Sequence, residues 1–443
     1  MLSFLTAELA KLKAVPAPAK LRPFGRVRSC DNGLLTASGL AAPVGALCRI
    51  EGDGTRAAAE IIGFRDGRSV MMLLGDAACL EPGARVFTDG QPGIVAVGDA
   101  FLGRAVGAMG EPIDGGPPVR GDAHWPLHGL RESALERASV TEPFDCGIRA
   151  INALMTLGIG QRTGIIAGSG VGKSVLIDMM AQAADCDIAV VGLIGERARE
   201  VSDFVGRHMQ GAARARTVVV AVPADHAANL RLRGARFTTA LAEYYRAQGK
   251  RVLLILDSLT RVAHAAREIG LLLGEPGAAR GYPPSALATI TGLVERAGNS
   301  ASSGGAITGL YTVLADGDDG NDPVVDTARA ILDGHIVLSR ALAQRGQYPA
   351  IDVPASLSRV MPGITDAPHQ ALARTFRALV ADYEANRDLV LMGAYRAGAD
   401  PQVDRAMAMH PALASFLGQG ADKPVCLADS VAELKAVLSD GSD

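Results

Sequence analysis

Aromatic residues are scarce in this 443-residue chain: ten Phe, seven Tyr and one Trp, 4% in all. A surface that stacks the bases of single-stranded nucleic acid needs several such rings together. An excess of one charge is missing too, with 44 Lys and Arg against 47 Asp and Glu and a formal net charge of −3. A dedicated nucleic-acid binder usually carries a basic excess, so that class is set aside. No apolar run approaches the roughly 18 residues that mark a membrane-spanning helix. Cys30, Cys48, Cys79, Cys146, Cys186 and Cys426 form no CxxC pair, and none has a histidine at metal-ligand spacing. They read as reduced, buried thiols of a cytoplasmic protein rather than as a disulfide framework or a metal site. The opening MLSFLTAELAKLKAV is broken by Glu8, Lys11 and Lys13 and has no small-residue cleavage site, so it is no secretory signal.

What is present is the make-up of a globular protein, with 48% hydrophobic and 21% charged residues. At roughly 100–200 residues per domain, two to four domains are expected. Leu2, Leu5, Leu9 and Leu12 fall at helical spacing ahead of Pro16 and Pro18. Residues 1–20 therefore form a short amphipathic helix, either an exposed terminus or a docking helix for a partner. From 21 to 92 short apolar runs alternate with Gly and Asp. GALCRIEGDGTRAAAEIIGF and SVMMLLGDAACLEPGARVF read as hairpin-linked strands, with Gly52-Asp53-Gly54 as a turn, and a small antiparallel β-barrel fits best. Gly110–Asp122 is a Gly/Pro-rich connection.

Residues 93–360 carry a different texture. TGIIAG, DIAVVGLIG, ARTVVVAV and RVLLILD are Val/Ile/Leu-rich runs separated by helical segments such as Ala227–Gln248. That alternation predicts an α/β core with a parallel sheet covered on both faces. Over 361–443 strands disappear. Ala371–Asn386, Asp388–Arg396, Pro401–His410 and Ser430–Leu438 read as the helices of a C-terminal helical domain.

The run Ala167–Ser174, AGSGVGKS, follows the strand TGIIAG and opens a helix. Gly168, Gly170 and Gly172 let the backbone turn its N–H groups toward an anion, with Ser169, Val171 and Val175 completing the segment. Lys173 reaches the outer phosphates and the Ser174 hydroxyl suits Mg²⁺. The strict phosphate-loop pattern has Gly where Ala167 stands; one methyl narrows the turn without removing the N–H cradle. A dinucleotide fingerprint needs Gly where Lys173 stands, so it fails.

Asp257 ends RVLLILD. By itself a strand-ending Asp is as well explained as a helix cap; beside Lys173 and Ser174 it becomes a candidate holder of the Mg²⁺ water shell. Glu196 leaves the end of DIAVVGLIG at the same sheet edge, where a carboxylate can orient and deprotonate an attacking water. Its neighbours Arg197, Arg199 and Glu200 read, from the residues alone, as a solvated ion-pair cluster.

In this order, these segments resemble the catalytic subunits of the rotary ATPase family and their protein-export relatives. RVAHAAREIGLLLGEPGAARGYPPSALATITGLVERAGN and YTVLADGDDGNDPVVDTARAILDGHIVLSRALAQRGQYPAIDVPASLSRVM resemble the export form. AGSGVGKS, GYPPS and GDDGNDP resemble its flagellar branch, and the resemblance runs from about Leu21 to Phe416. It implies a P-loop nucleotide-binding core of RecA-like type and hydrolysis of ATP with Mg²⁺. By the same resemblance Glu196 matches the catalytic glutamate and Arg197 a phosphate-sensing arginine. Tyr348, in QYPAID, matches the residue stacked on adenine. Arg359, in SLSRVM, matches an arginine finger inserted by a neighbouring subunit. The implied assembly is a homohexamer. Its implied partners are a regulator at the N-terminal helix, a coiled-coil stalk, and the export gate with substrate–chaperone complexes at the C-terminal helices. The implied location is cytoplasmic, peripheral to the inner membrane.

Other readings stay in view. A virulence-type injectisome uses the same chemistry. An ATP synthase catalytic subunit is disfavoured by GYPPSALATITGLVERAGN. A nucleic-acid translocase is disfavoured by the charge and the few aromatics. A ring that acts only as a scaffold is separated from all of these by the effect of Glu196→Gln.

Overall fold

The structure is a computed structural model, and it describes residues 23–31, 33–52, 56–75, 80–89, 93–130, 133–208, 211–315 and 322–439. The helix expected over 1–20 lies outside these residues, as do parts of the Gly52-Asp53-Gly54 turn and of GDDGNDP.

The chain divides into two compact units, Met1–Pro92 and Gly93–Asp443. In the first, six strands close into a barrel: β1 (Gly25–Asp31), β2 (Leu34–Ser38), β3 (Leu47–Glu51), β4 (Arg56–Arg65), β5 (Arg68–Leu73) and β6 (Arg85–Asp89). Their order is β1-β2-β5-β4-β3-β6, antiparallel throughout, with β6 returning to β1. Alternate side chains of β2 and β3 turn inward, so Leu35, Ala37, Cys48 and Ile50 meet Ile61, Met71 and Val86 in a closed core. The β3–β4 hairpin is the expected one, with Cys48 opposite Ala59. Cys48, Cys146 and Cys186 are buried as expected, but Cys30 and Cys426 are exposed, Cys30 because it falls on an outward-facing position of β1. The second expected hairpin is not formed. β5 pairs with β2 and β4, whereas β6 pairs with β1 and β3. The connection between β5 and β6 far exceeds the two to five residues of a tight turn, so adjacency in sequence imposes no pairing.

In the second unit the main sheet is assembled from β7 (Ala105–Val106), β8 (Arg162–Ala167), β9 (Ile188–Ile194), β10 (Thr217–Val222), β11 (Arg251–Asp257), β12 (Ala306–Leu314), β13 (Gly334–Leu338) and β14 (Ile351–Ser358). Its main path runs β14-β13-β8-β12-β11-β9-β10-β7, parallel except for β14. Every residue of β9 and β10 is buried, as a sheet covered on both faces requires. Helices α1 (Arg149–Leu154), α2 (Lys173–Ala183), α3 (Ala198–His208), α4 (Ala228–Ala247), α5 (Leu259–Leu272), α6 (Pro284–Val294), α7 (Pro323–Ile331) and α8 (Arg340–Gln344) connect the strands.

Beyond Ser358 the described residues form no strand. The segments Ala371–Asn386 and Asp388–Arg396, expected as two helices, join into α9 (Ala367–Leu391), which ends before Gly393 at φ +70°. Arg387 is a good helix former, and no Gly or Pro stands there to break the turn. α10 (Pro401–Leu417) runs on past Pro411, where the expected helix stopped. Burial of Leu413, Phe416 and Leu417 beyond the proline offsets the lost backbone bond. Phe376 and Phe416 pack at 5.1 Å between α9 and α10, and α11 (Leu427–Ser439) buries Leu434 and Leu438.

Candidate active site

The loop of residues 168–172 leaves the buried end of β8 and enters α2. Ala167 pairs with both Leu314 and Leu338, so its methyl sits in the core as a strand residue. Val171 is also buried and anchors the loop from beneath. Gly170 and Gly172 take φ of +77° and +89°, a region a side chain rarely adopts. Gly172 is the residue before α2 and places no capping side chain on the helix. The first-turn N–H groups of α2 are therefore left to an anion, at the positive end of the helix dipole.

Gly168, Ser169, Gly170, Gly172, Lys173, Ser174 and Val175 line a cleft of about 860 Å³. Glu196, Arg197, Arg261, Tyr348, Gln419 and Ala421 line it too. Beside it the three charged residues that sequence drew from separate segments meet, Lys173 and Glu196 on its lining and Asp257 behind them. The Lys173 ammonium donates to Asp257 Oδ1 and lies 3.4 Å from Glu196 Oε1. Thr312 Oγ1 donates to the same Asp257 oxygen at 2.6 Å. All three charged side chains are nearly buried. Burial works against the ammonium, but Asp257 and Glu196 outweigh it and hold the amine above the usual lysine range. For Glu196, burial first and then the Asp257 charge push the carboxyl above the usual glutamate range, with Lys173 pulling the other way. A carboxyl so placed is a better proton acceptor than a solvated glutamate.

Ser174 is exposed on the first turn of α2 and shares a second cavity, of about 470 Å³, with Glu196 and Asp257. Both bonds on Asp257 fall on Oδ1, leaving Oδ2 outside them. No group of three or more His, Cys, Asp or Glu among the described residues could hold a metal ion. One carboxylate and one hydroxyl, with phosphate oxygens and water as the remaining ligands, nevertheless fit the donor set that Mg²⁺ accepts.

Tyr348, 47% exposed, lies beside the loop: a Cβ placed on Gly172 would meet its ring carbons at 3.3 Å. Arg197 stands on the rim with an exposed guanidinium 3.6 Å from Glu200. Arg359 does not line this cleft. Its Nη2 donates to the Arg329 carbonyl at 3.1 Å and its backbone N–H to Asp333.

Three residues escape the sequence reading. Arg261 packs its stem against Gly195, lines the cleft, and keeps a buried Nε without a hydrogen-bond partner. Its place three residues after Ser258, the N-cap of α5, was a usable signal. Thr312 and Gln419 carried none, since each reaches the site through pairing with distant segments.

A phosphate-accepting loop, a buried lysine between two carboxylates and an aromatic beside the loop define a nucleotide hydrolase of the P-loop class. Residues 147–358 match the model of the ATP synthase alpha/beta family, nucleotide-binding domain, and residues 365–436 the type III secretion EscN ATPase C-terminal domain. The chain is 46% identical to the flagellum-specific ATP synthase of Pseudomonas aeruginosa, over 97% of this chain and 96% of that one. With the protein of that name from Salmonella typhimurium it shares 47%, over 97% and 96%. The assembled ATPase EscN of enteropathogenic E. coli, solved with its central stalk EscO, superposes with a TM-score of 0.85 at 36% identity, covering 94% of this chain and all of that one. The chain belongs to the ATP synthase alpha/beta family, among the flagellum-specific and type III secretion ATPases.

Proposed function

We propose that the protein hydrolyses ATP with Mg²⁺ as a homohexameric ring and so energises export of flagellar proteins through the flagellar type III secretion apparatus. The observation that carries the reading is the buried contact of Lys173 with Asp257 and Glu196 beneath an open phosphate loop. Full-length likeness to flagellum-specific relatives supports the biological setting, and the injectisome alternative is not favoured.

Each residue has a part in this reading. The loop N–H groups from Ala167 to Val175 bind the phosphates, and Tyr348 packs on adenine. Lys173 leaves its carboxylates for the outer phosphates, which frees Glu196 to take the proton of the attacking water. Ser174 and Asp257 hold Mg²⁺, which supplies charge neutralisation at the phosphates when bound. Arg197 senses the phosphate from the rim. Arg359 serves the cleft of the next subunit, which agrees with its position away from its own. In a ring of identical subunits each interface joins two different surfaces, so one subunit can complete its neighbour's site.

The partners follow the same reading. Residues 1–20 dock a flagellar export regulator, a coiled-coil stalk enters the ring, and the helical domain from 361 onward meets the export gate and substrate–chaperone complexes. The EscN complex with EscO supports the stalk. No helix among the described residues is long and apolar enough to cross a membrane, which suits a cytoplasmic ring peripheral to the inner membrane.

The test is Glu196→Gln at the native locus, with secreted flagellin and swimming as readouts. Both are expected to fall sharply while flagellin stays inside the cell. Unchanged export would overturn the reading.

A further inference from the structure

Tyr348 is half-exposed on a short loop between α8 and β14, yet the approach of its ring to Gly172 is close. Something must hold that loop at the right height. The Tyr348 carbonyl accepts the Gln419 backbone N–H at 3.0 Å. Gln419 is in turn locked by its own side chain. Its Nε2 donates to the Gly147 carbonyl at 2.8 Å and to the Lys423 carbonyl at 2.9 Å. Its Oε1 accepts the Arg149 backbone N–H at 2.8 Å. Both amide protons and the oxygen are engaged, so the side chain has one orientation. Arg149 braces the same segment by donating to the Phe416 carbonyl at 2.7 Å and lying over the Phe416 ring at 5.2 Å.

We infer that Gln419 is a positioning residue for the nucleotide base: it fixes Tyr348, and so sets the preference for adenine over a smaller pyrimidine. The inference rests on the reading of the cleft as a nucleotide site. It concerns only the base end, because none of these bonds touches the phosphate loop. A flat purine uses the full face of a fixed ring, whereas a pyrimidine covers less of it and gains less from the fixing.

The experiment uses full-length Gln419→Ala and Gln419→Glu in steady-state hydrolysis of ATP and of CTP, with tripolyphosphate as a competitive inhibitor lacking a base. Gln419→Ala is expected to raise KM for ATP about tenfold with kcat within about twofold, to leave KM for CTP little changed, and to leave inhibition by tripolyphosphate unchanged. Gln419→Glu keeps the acceptor for Arg149 and loses the two donors, so an intermediate KM is expected. In a Tyr348→Ala background, Gln419→Ala should have no further effect on KM. An unchanged KM for ATP, a parallel loss of tripolyphosphate affinity, or additive effects with Tyr348→Ala would each overturn the inference. Absence of ATP hydrolysis in the unsubstituted protein is a separate result, and it would count against the hydrolase reading.

Discussion

Lys173 Nζ lies 3.4 Å from Glu196 Oε1, the last turn of a contact that also binds the lysine to Asp257. The group proposed to neutralise phosphate and the group proposed to accept a proton are thus each other's counter-ions. A buried charge left alone is costly, and the pairing offsets that cost. In the proposed mechanism an arriving phosphate would offer the ammonium a stronger partner and leave the glutamate unpaired beside the reacting water.

Glu196→Gln keeps the shape and removes the proposed base. Its kcat is expected to fall at least about a hundredfold while the equilibrium affinity for ATP stays within a few fold. The pH dependence has a definite sign. The folded carboxyl titrates above the ordinary glutamate value of about 4.3, and it must be deprotonated to act. Therefore kcat/KM should decline, on lowering the pH, above the range where a solvated glutamate titrates. That acidic limb should vanish in the residual activity of Glu196→Gln, and a retained limb would assign it elsewhere.

Tyr348→Ala removes an aromatic face from the cleft. Stacking on a base contributes about 1–3 kcal/mol, so ATP affinity is expected to fall roughly tenfold or more. Tyr348→Phe keeps the face and should bind like the parent. Titration of both variants with a fluorescent adenine nucleotide would decide, and a weakened Phe variant would give the hydroxyl an unforeseen role.

Arg359→Ala touches nothing in its own cleft, so single-site ATP affinity should persist. Turnover is expected to drop about a hundredfold or more, as for arginines supplied in trans. Mixing this variant with Lys173→Ala subunits should restore part of the activity, because some interfaces then pair an intact cleft with an intact finger. Failure of every mixture to regain turnover would argue against action in trans.

Thr312→Val deletes the 2.6 Å bond that orients Asp257. Groups behind a metal ligand typically tune affinity by ten- to a hundredfold. The Mg²⁺ concentration for half-maximal activity is expected to rise by about tenfold, with ATP binding in the absence of Mg²⁺ nearly unaltered. An unchanged requirement would detach Asp257 from the metal.

Contiguous stretches were the legible part of this protein. AGSGVGKS declares its loop because glycines, lysine and serine stand side by side and because the strand before and the helix after have different periods. RVLLILD and DIAVVGLIG declare buried strands, and with them the sheet edge at which Asp257 and Glu196 emerge. Pairing was less legible. SVMMLLGDAACLEPGARVF looked like a hairpin, but a long connection lets its two strands take different neighbours. Local breakers misled in the same way at Pro411, where tertiary burial of Leu413 and Phe416 carries the helix onward.

What the sequence alone determined, then, is the order of barrel, parallel sheet and helices, and the course of the glycine-rich loop between strand and helix, because each is written in residues within a few positions of one another. What only the tertiary structure decided is which distant groups complete the cleft. Arg261, Thr312 and Gln419 come to it from a helix, a neighbouring strand and a segment beyond α10. No local period or motif encodes those meetings. They arise when the sheet, its covering helices and the C-terminal segment bury their apolar faces together and the polar groups carried along must find partners.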